Sequence, residues 1–222
     1  MKYLIILLSF CSLTTHAQYI VQPYGDMQGT PLKEIKYENV DGTPYLLDYW
    51  IKGKVTLKSG KQYSDMPLKY DLMNDKLIFQ AENGNMMHFA EPVSTFEIND
   101  IATSTNYKFT NGLPAIDGQN PSSFFQIITS GKVSLFKKPY KKISEHTAYG
   151  SSSVNKSFDL RSDYYILQNG NLLKININKK SLVALAPSKE KEITDYLKKE
   201  KTDFKQDTDL NKFFNYLNEQ QL

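Results

Sequence analysis

The chain has 222 residues, 40% of them hydrophobic, with 27 basic against 24 acidic side chains and a formal charge of +3. This is the balance of a folded chain with enough apolar surface for a core, and it excludes disorder as the starting assumption. A single arginine, Arg161, and no long basic tract argue against a nucleic-acid partner, whose phosphates and guanines are read chiefly by arginine.

Met1-Lys2, the apolar run Tyr3-Leu4-Ile5-Ile6-Leu7-Leu8-Ser9-Phe10, and then Thr15-His16-Ala17 have the layout of a secretory signal peptide over residues 1–17. Cleavage is expected between Ala17 and Gln18. The apolar run is about half the ~20 residues that span a bilayer. Cys11 follows the bulky Phe10, where a lipid-attachment site takes a small residue, so lipid anchoring through Cys11 is not expected. No later stretch reaches membrane-spanning length. The expected location is therefore the periplasm or the extracellular space. From Gln18 onward the sequence has no cysteine, so packing rather than disulfides must hold the fold.

Residues 18–46 read as an extended arm. Pro23, Gly25, Gly29, Pro31, Gly42 and Pro44 break any useful helix. The arm is expected to lie along the main domain or to pair at an edge. Residues 47–177 then read as an antiparallel β domain. Trp50, Lys52, Lys54, Thr56 and Lys58 fall on one parity, and Ile51, Val55 and Leu57 on the other, the mark of a half-buried strand. Ser59-Gly60, Asn74-Asp75, Asn83-Gly84, Ser130-Gly131 and Asn169-Gly170 are turn signals between successive apolar runs. Pro67 cannot donate to a ladder, which predicts an edge or a bulge there. Residues 111–123 and 149–157 read as surface loops. Short loops between strands favour neighbours in one sheet. The fold class is mainly β (α+β): a β-meander forming a curved sheet, an open barrel or a sandwich.

Past Ile177 the period changes to that of helices, two or three of which are expected over residues 178–222. Leu182, Val183 and Leu185 suit a short turn closed by Pro187, with Ser188 as the cap of the next helix. Ile193, Tyr196 and Leu197 share one helical face, as do Leu210, Phe213, Phe214 and Leu217 behind a cap at Asp207 or Thr208. These stripes are expected to dock on the sheet.

Reactive constellations are sparse. His88 and His146 lack the companions of a zinc site, so no metal and no cofactor is expected. No Gly-x-Ser-x-Gly elbow, phosphate loop or dinucleotide glycine pattern is present, so no catalytic residue is assigned. Glu34, Asp41, Asp48, Asp65, Asp71 and Glu97 are scattered carboxylates that spacing alone does not pair. The one enrichment is aromatic, with 15 Tyr, 12 Phe and one Trp. Tyr45, Tyr49 and Trp50 gather where the arm meets the β domain. They read either as a packed corner or as a contact for a carbohydrate or a protein.

Ala17-Gln18, Pro44-Tyr45-Leu46, Gly53-Lys54-Val55-Thr56-Leu57-Lys58-Ser59-Gly60-Lys61-Gln62-Tyr63 and Met66-Pro67-Leu68-Lys69-Tyr70-Asp71-Leu72 resemble a family of uncharacterised exported β-rich proteins of Gram-negative bacteria. Lys137-Lys138-Pro139-Tyr140-Lys141-Lys142 and Tyr164-Tyr165-Ile166-Leu167 carry the likeness further. It implies a cell-envelope location and brings no activity. The expectation is an exported, non-enzymatic binding or scaffold module with an envelope protein, glycan or lipid as partner. A carrier of lipid or another small apolar ligand, and a hydrolase using carboxylates, are the alternatives.

Overall fold

The computed structural model describes residues 21–22, 24–147 and 154–220. The expected signal peptide, the cut between Ala17 and Gln18, Cys11 and the Gly150-Ser151-Ser152-Ser153 stretch lie outside the described residues. Thirteen strands form one sheet: β1 (Val21–Gln22), β2 (Gly29–Pro31), β3 (Val40–Asp41), β4 (Ile51–Leu57), β5 (Gln62–Asp71), β6 (Lys76–Gln80), β7 (Met86–Phe89), β8 (Val93–Asp100), β9 (Thr105–Thr110), β10 (Phe125–Thr129), β11 (Val133–Thr147), β12 (Val154–Gln168) and β13 (Asn171–Ile175). Of the three expected shapes, the chain takes the open curved sheet. Helices α1 (Lys179–Val183), α2 (Glu190–Lys199) and α3 (Asp207–Glu219) follow it.

The meander comes in two runs. Strands β4 to β7 succeed one another, β8 then returns to pair with the free side of β4, and β9 to β13 continue outward from β8. That return forces curvature. Four residue steps separate Phe89, the last residue of β7, from Val93, the first of β8, and extended chain covers at most about 14 Å in four steps. A flat sheet would hold β7 and β8 four strand spacings, about 19 Å, apart. The β4–β9 region therefore rolls, and its inner side chains fill the roll. Val55, Met66 and Leu68 are fully buried there, among Tyr70, Phe79, Phe96, Ile98, Phe109 and Phe124.

The arm lies along the sheet and pairs with it, β2 being the outermost strand at one margin. It straps the sheet at three places: β1 runs parallel to β5, β2 pairs with β7, and β3 runs parallel to β12. Pro67 faces Lys52 of β4, while on its other side β5 pairs with β1 only at residues 62–63 and with β6 only from Leu68. Proline thus occupies a local edge, beside a bulge between Gly53 and Val55.

Strands β11 and β12 form one hairpin of 15 paired residues in continuous register, Val133↔Gln168 through Thr147↔Val154. This corrects the loop expected over residues 149–157: Val154, Asn155, Lys156 and Ser157 belong to β12. The alternation of this stretch is obscured by lysines and serines because its outer half is exposed on both faces.

Of the expected inward residues, Leu182, Ile193, Leu197, Leu210, Phe213, Phe214 and Leu217 are buried, while Val183, Leu185 and Tyr196 are half-buried at the margin of the same cluster, and the caps differ from expectation. Asn178 caps α1, its Oδ1 accepting the Ser181 N–H at 3.0 Å. Ser188 lies inside a 3-10 turn, Pro187–Lys189, and caps nothing. Asp207 is the first residue of α3 and does not act as its cap. Its carboxylate instead accepts the Lys137 ammonium at 2.7 Å and the Tyr164 hydroxyl at 2.9 Å, which ties α3 to β11 and β12. Burial first, and then Asp207, raises the Tyr164 pKa. Leu210, Phe213, Phe214 and Leu217 are fully buried against Ile128, Leu135 and Ile166. Asn218 closes the contact by pairing with both backbone groups of Val133: its Oδ1 accepts the N–H at 2.9 Å and its Nδ2 donates to the carbonyl at 3.1 Å. A Cβ on Gly131 would lie 2.4 Å from that amide, so this turn glycine is there for close approach.

Candidate functional site

The two halves of the sheet meet at a buried ion pair. The Lys138 ammonium of β11 lies 2.6 Å from the Asp75 carboxylate and 2.9 Å from the Phe124 carbonyl, and only 4% of its side chain is exposed. Asp75 also accepts the Tyr70 hydroxyl and, more loosely, the Phe124 N–H. Three residues further along, the Lys141 N–H donates to the Leu72 carbonyl at 3.2 Å. Burial lowers the Lys138 pKa and Asp75 opposes the shift, while burial, and then Asp75, raises that of Tyr70 well above the ordinary phenol value. The Lys138 ammonium is enclosed, the Asp75 carboxylate is partly open to solvent, and both are hydrogen-bonded, so the cluster acts as a latch between β11 and the β5–β6 turn.

The outer face of the rolled region carries a groove of about 650 Å³. Alternation along β4 turns Lys52 and Lys54 outward and Val55 and Leu57 inward, as the sequence pattern predicts. Tyr49 and Trp50 form one end of the groove, just before β4. Glu97 and Asn99 of β8, Asn106 of β9, and Ser64 and Asp65 of β5 supply its polar walls, and Ile101 its rim. Ile101 is 85% exposed and Tyr49 43%.

Tyr49 is held in place. Its hydroxyl donates to Asp100 Oδ1 at 2.9 Å, and the same carboxylate accepts the Ala102 N–H at 3.1 Å and the Thr103 hydroxyl at 2.7 Å. Asp100 thereby folds the β8–β9 turn over itself. The Thr103 hydroxyl, followed by the Tyr49 hydroxyl and the Ala102 and Thr103 amides, holds it below the usual carboxylate range against the opposing effect of burial. The hydrogen bond to Asp100, ahead of burial, raises the Tyr49 pKa. One end of the aromatic ring is anchored and the rest stays exposed, the arrangement of a preorganised contact residue.

Of the three aromatic residues singled out from sequence, the structure brings Tyr49 and Trp50 into the groove and keeps Tyr45 out of it. Tyr45 is buried where the arm meets β5, in an isolated bridge to Asp71. Its ring lies 4.8 Å from the Lys69 ammonium, which is also 5.3 Å from the Trp50 ring, so one cation links the corner to the groove. Burial, and then Glu34 and Asp71, pushes the Tyr45 pKa up to about 12. Asp100 was not among the carboxylates considered from sequence. Its signal is local: an aspartate followed by Ile101-Ala102-Thr103 suits an Asx-type turn.

Among the groove carboxylates, Asp100 is engaged by the turn, and Glu97 lies 3.3 Å from Lys108. His146 faces Asp159 at 3.7 Å on the hairpin, and His88 sits in β7, away from the groove. Among the described residues no three His, Cys, Asp or Glu side chains gather as metal ligands. No helix among them is long and apolar enough to cross a membrane.

Fold and site together define a rolled β-sheet scaffold, braced by C-terminal helices, with an open aromatic groove on its outer face. No family model, curated protein or solved structure matches the chain.

Proposed function

We propose that this chain is an exported, non-enzymatic envelope protein that binds a partner through the groove at Tyr49 and Trp50. The observation that carries the reading is the anchoring of an exposed Tyr49 by Asp100. A ring fixed in the free protein loses little freedom on binding. Flat aromatic surface beside Asn99, Asn106, Lys52 and Lys54 suits a glycan or a polar protein surface. The apolar side chains of the roll fill its interior, which favours presentation of a surface over carriage of an apolar ligand.

The test is a pull-down from the native envelope with the chain from Gln18 onward, in parallel with a Tyr49→Ala/Trp50→Ala variant shown to be folded by circular dichroism. The expected result is a stoichiometric protein or glycan recovered by the parent and at least ~10-fold less by the variant. Equal recovery by both removes the groove from the proposal. Lipid as the sole companion of both forms moves the function to the carrier alternative.

A further inference from the structure

The two margins of the sheet differ. At one, β2 has three residues and ends in Pro31, so that edge has little to offer another strand. At the other, β13 pairs with β12 on one side, and among the described residues no strand lies on its other side. The connecting turn holds Asn169 at φ +51° and Gly170 at φ +79°, a two-residue hairpin with both residues left-handed. Such a turn makes Gln168 and Asn171 a hydrogen-bonded pair, and hydrogen-bonded pairs then alternate along the ladder, at Leu173 and at Ile175. The N–H and C=O groups of Leu172 and Lys174 therefore point away from β12. Neither residue's backbone enters any other hydrogen bond among the described residues.

We propose that β13 is the contact edge of a symmetric dimer, with a second copy of this chain as its partner. Antiparallel pairing about Leu173 sets Leu172 opposite Lys174 of the second copy, and Lys174 opposite its Leu172. Each of these pairs exchanges one N–H and one C=O in both directions, so the contact is self-complementary and closes on itself. Leu173, 55% exposed in the single chain, meets its counterpart on the two-fold axis, in the closely spaced pair between them. A lysine on an open edge ordinarily guards it. Here the Lys174 charge is drawn onto the face by Asp163 at 3.0 Å and Asp117 at 3.9 Å, which weakens that guard. Five-residue strands make a small contact, and the dissociation constant is expected between about 10 μM and about 500 μM.

The test is sedimentation velocity of the chain from Gln18 onward, from about 5 μM to about 1 mM, a range that brackets such an affinity. The expected result is a monomer that shifts to a dimer with concentration, and at least ~10-fold weaker association for Leu173→Lys, which opposes two like charges on the axis. Residue 173 is exposed, so the variant keeps the parent's circular dichroism. Amide exchange gives a second reading: the Leu172 and Lys174 amides become protected as concentration rises. A chain that stays monomeric throughout, a Leu173→Lys dimer as tight as the parent's, or concentration-independent exchange at both amides overturns the proposal.

Discussion

Replacing Lys138 by Met keeps the aliphatic stem and removes the ammonium from a site where 4% of the side chain is exposed. Breaking a buried pair from one side costs about 3–5 kcal/mol. Asp75 keeps the Tyr70 hydroxyl, and 26% of its side chain is exposed, so water recovers part of its solvation and Lys138→Met belongs at the lower end, about 3 kcal/mol. Asp75→Asn leaves a buried cation with only neutral partners, the Phe124 carbonyl, the Tyr70 hydroxyl and the new amide, and belongs at the upper end, about 5 kcal/mol. Both are large beside a typical folding stability of about 5–15 kcal/mol. In the double variant Lys138→Met/Asp75→Asn the deficit is smaller than the sum of the two, with a coupling of about 1–3 kcal/mol.

The pH dependence has a definite sign. Burial already lowers the Lys138 pKa from 10.5, and removing Asp75 lowers it further. Between that depressed value and the ordinary one the unfolded chain binds more protons than the folded chain, so stability rises with pH in that window. The deficit of Asp75→Asn therefore shrinks as pH is raised from neutrality toward the ordinary lysine value of 10.5. Urea unfolding followed by fluorescence of Trp50, the single tryptophan, measures each term. Single-variant deficits below about 1 kcal/mol, or a coupling within about 0.5 kcal/mol of zero, would refute the latch.

Two further outcomes rest on the same structure. Asn218→Ala strands both backbone groups of Val133 and should lower stability by about 1–3 kcal/mol in urea unfolding, with the β11 end of the sheet losing amide protection first. Above about pH 10 the folded chain keeps phenol protons on Tyr45, Tyr70 and Tyr164 that the unfolded chain releases, so stability falls as pH rises. Phenolate absorbance from these three should appear together with loss of the sheet's circular dichroism. Their ionisation near the ordinary value with the sheet intact would contradict the burial described above.

Much of the local structure was legible in the residues. The parity of β4, the hairpins at Ser59-Gly60 and Asn169-Gly170, and the stripes of α2 and α3 each follow from side chains close in sequence, where periodicity and turn chemistry act. Capping was not legible. Asp207 has the residue type of a cap, yet Lys137 and Tyr164 take up its carboxylate, because docking α3 brings two donors to it that are distant in the chain. The candidate site was legible in part. Tyr49 and Trp50 stand out by composition, but sequence carries no sign that Tyr45, a few residues away, turns inward.

Local chemistry, then, determined that this chain forms short strands ending in amphipathic helices, since alternation, turn glycines and helical stripes need only neighbouring residues. Tertiary structure alone decided that β8 returns to β4, that the sheet rolls until Lys138 reaches Asp75, and that Asp100 reaches up to anchor Tyr49. Those choices depend on which distant backbone edges and charges meet, and a linear pattern holds no record of distance in space.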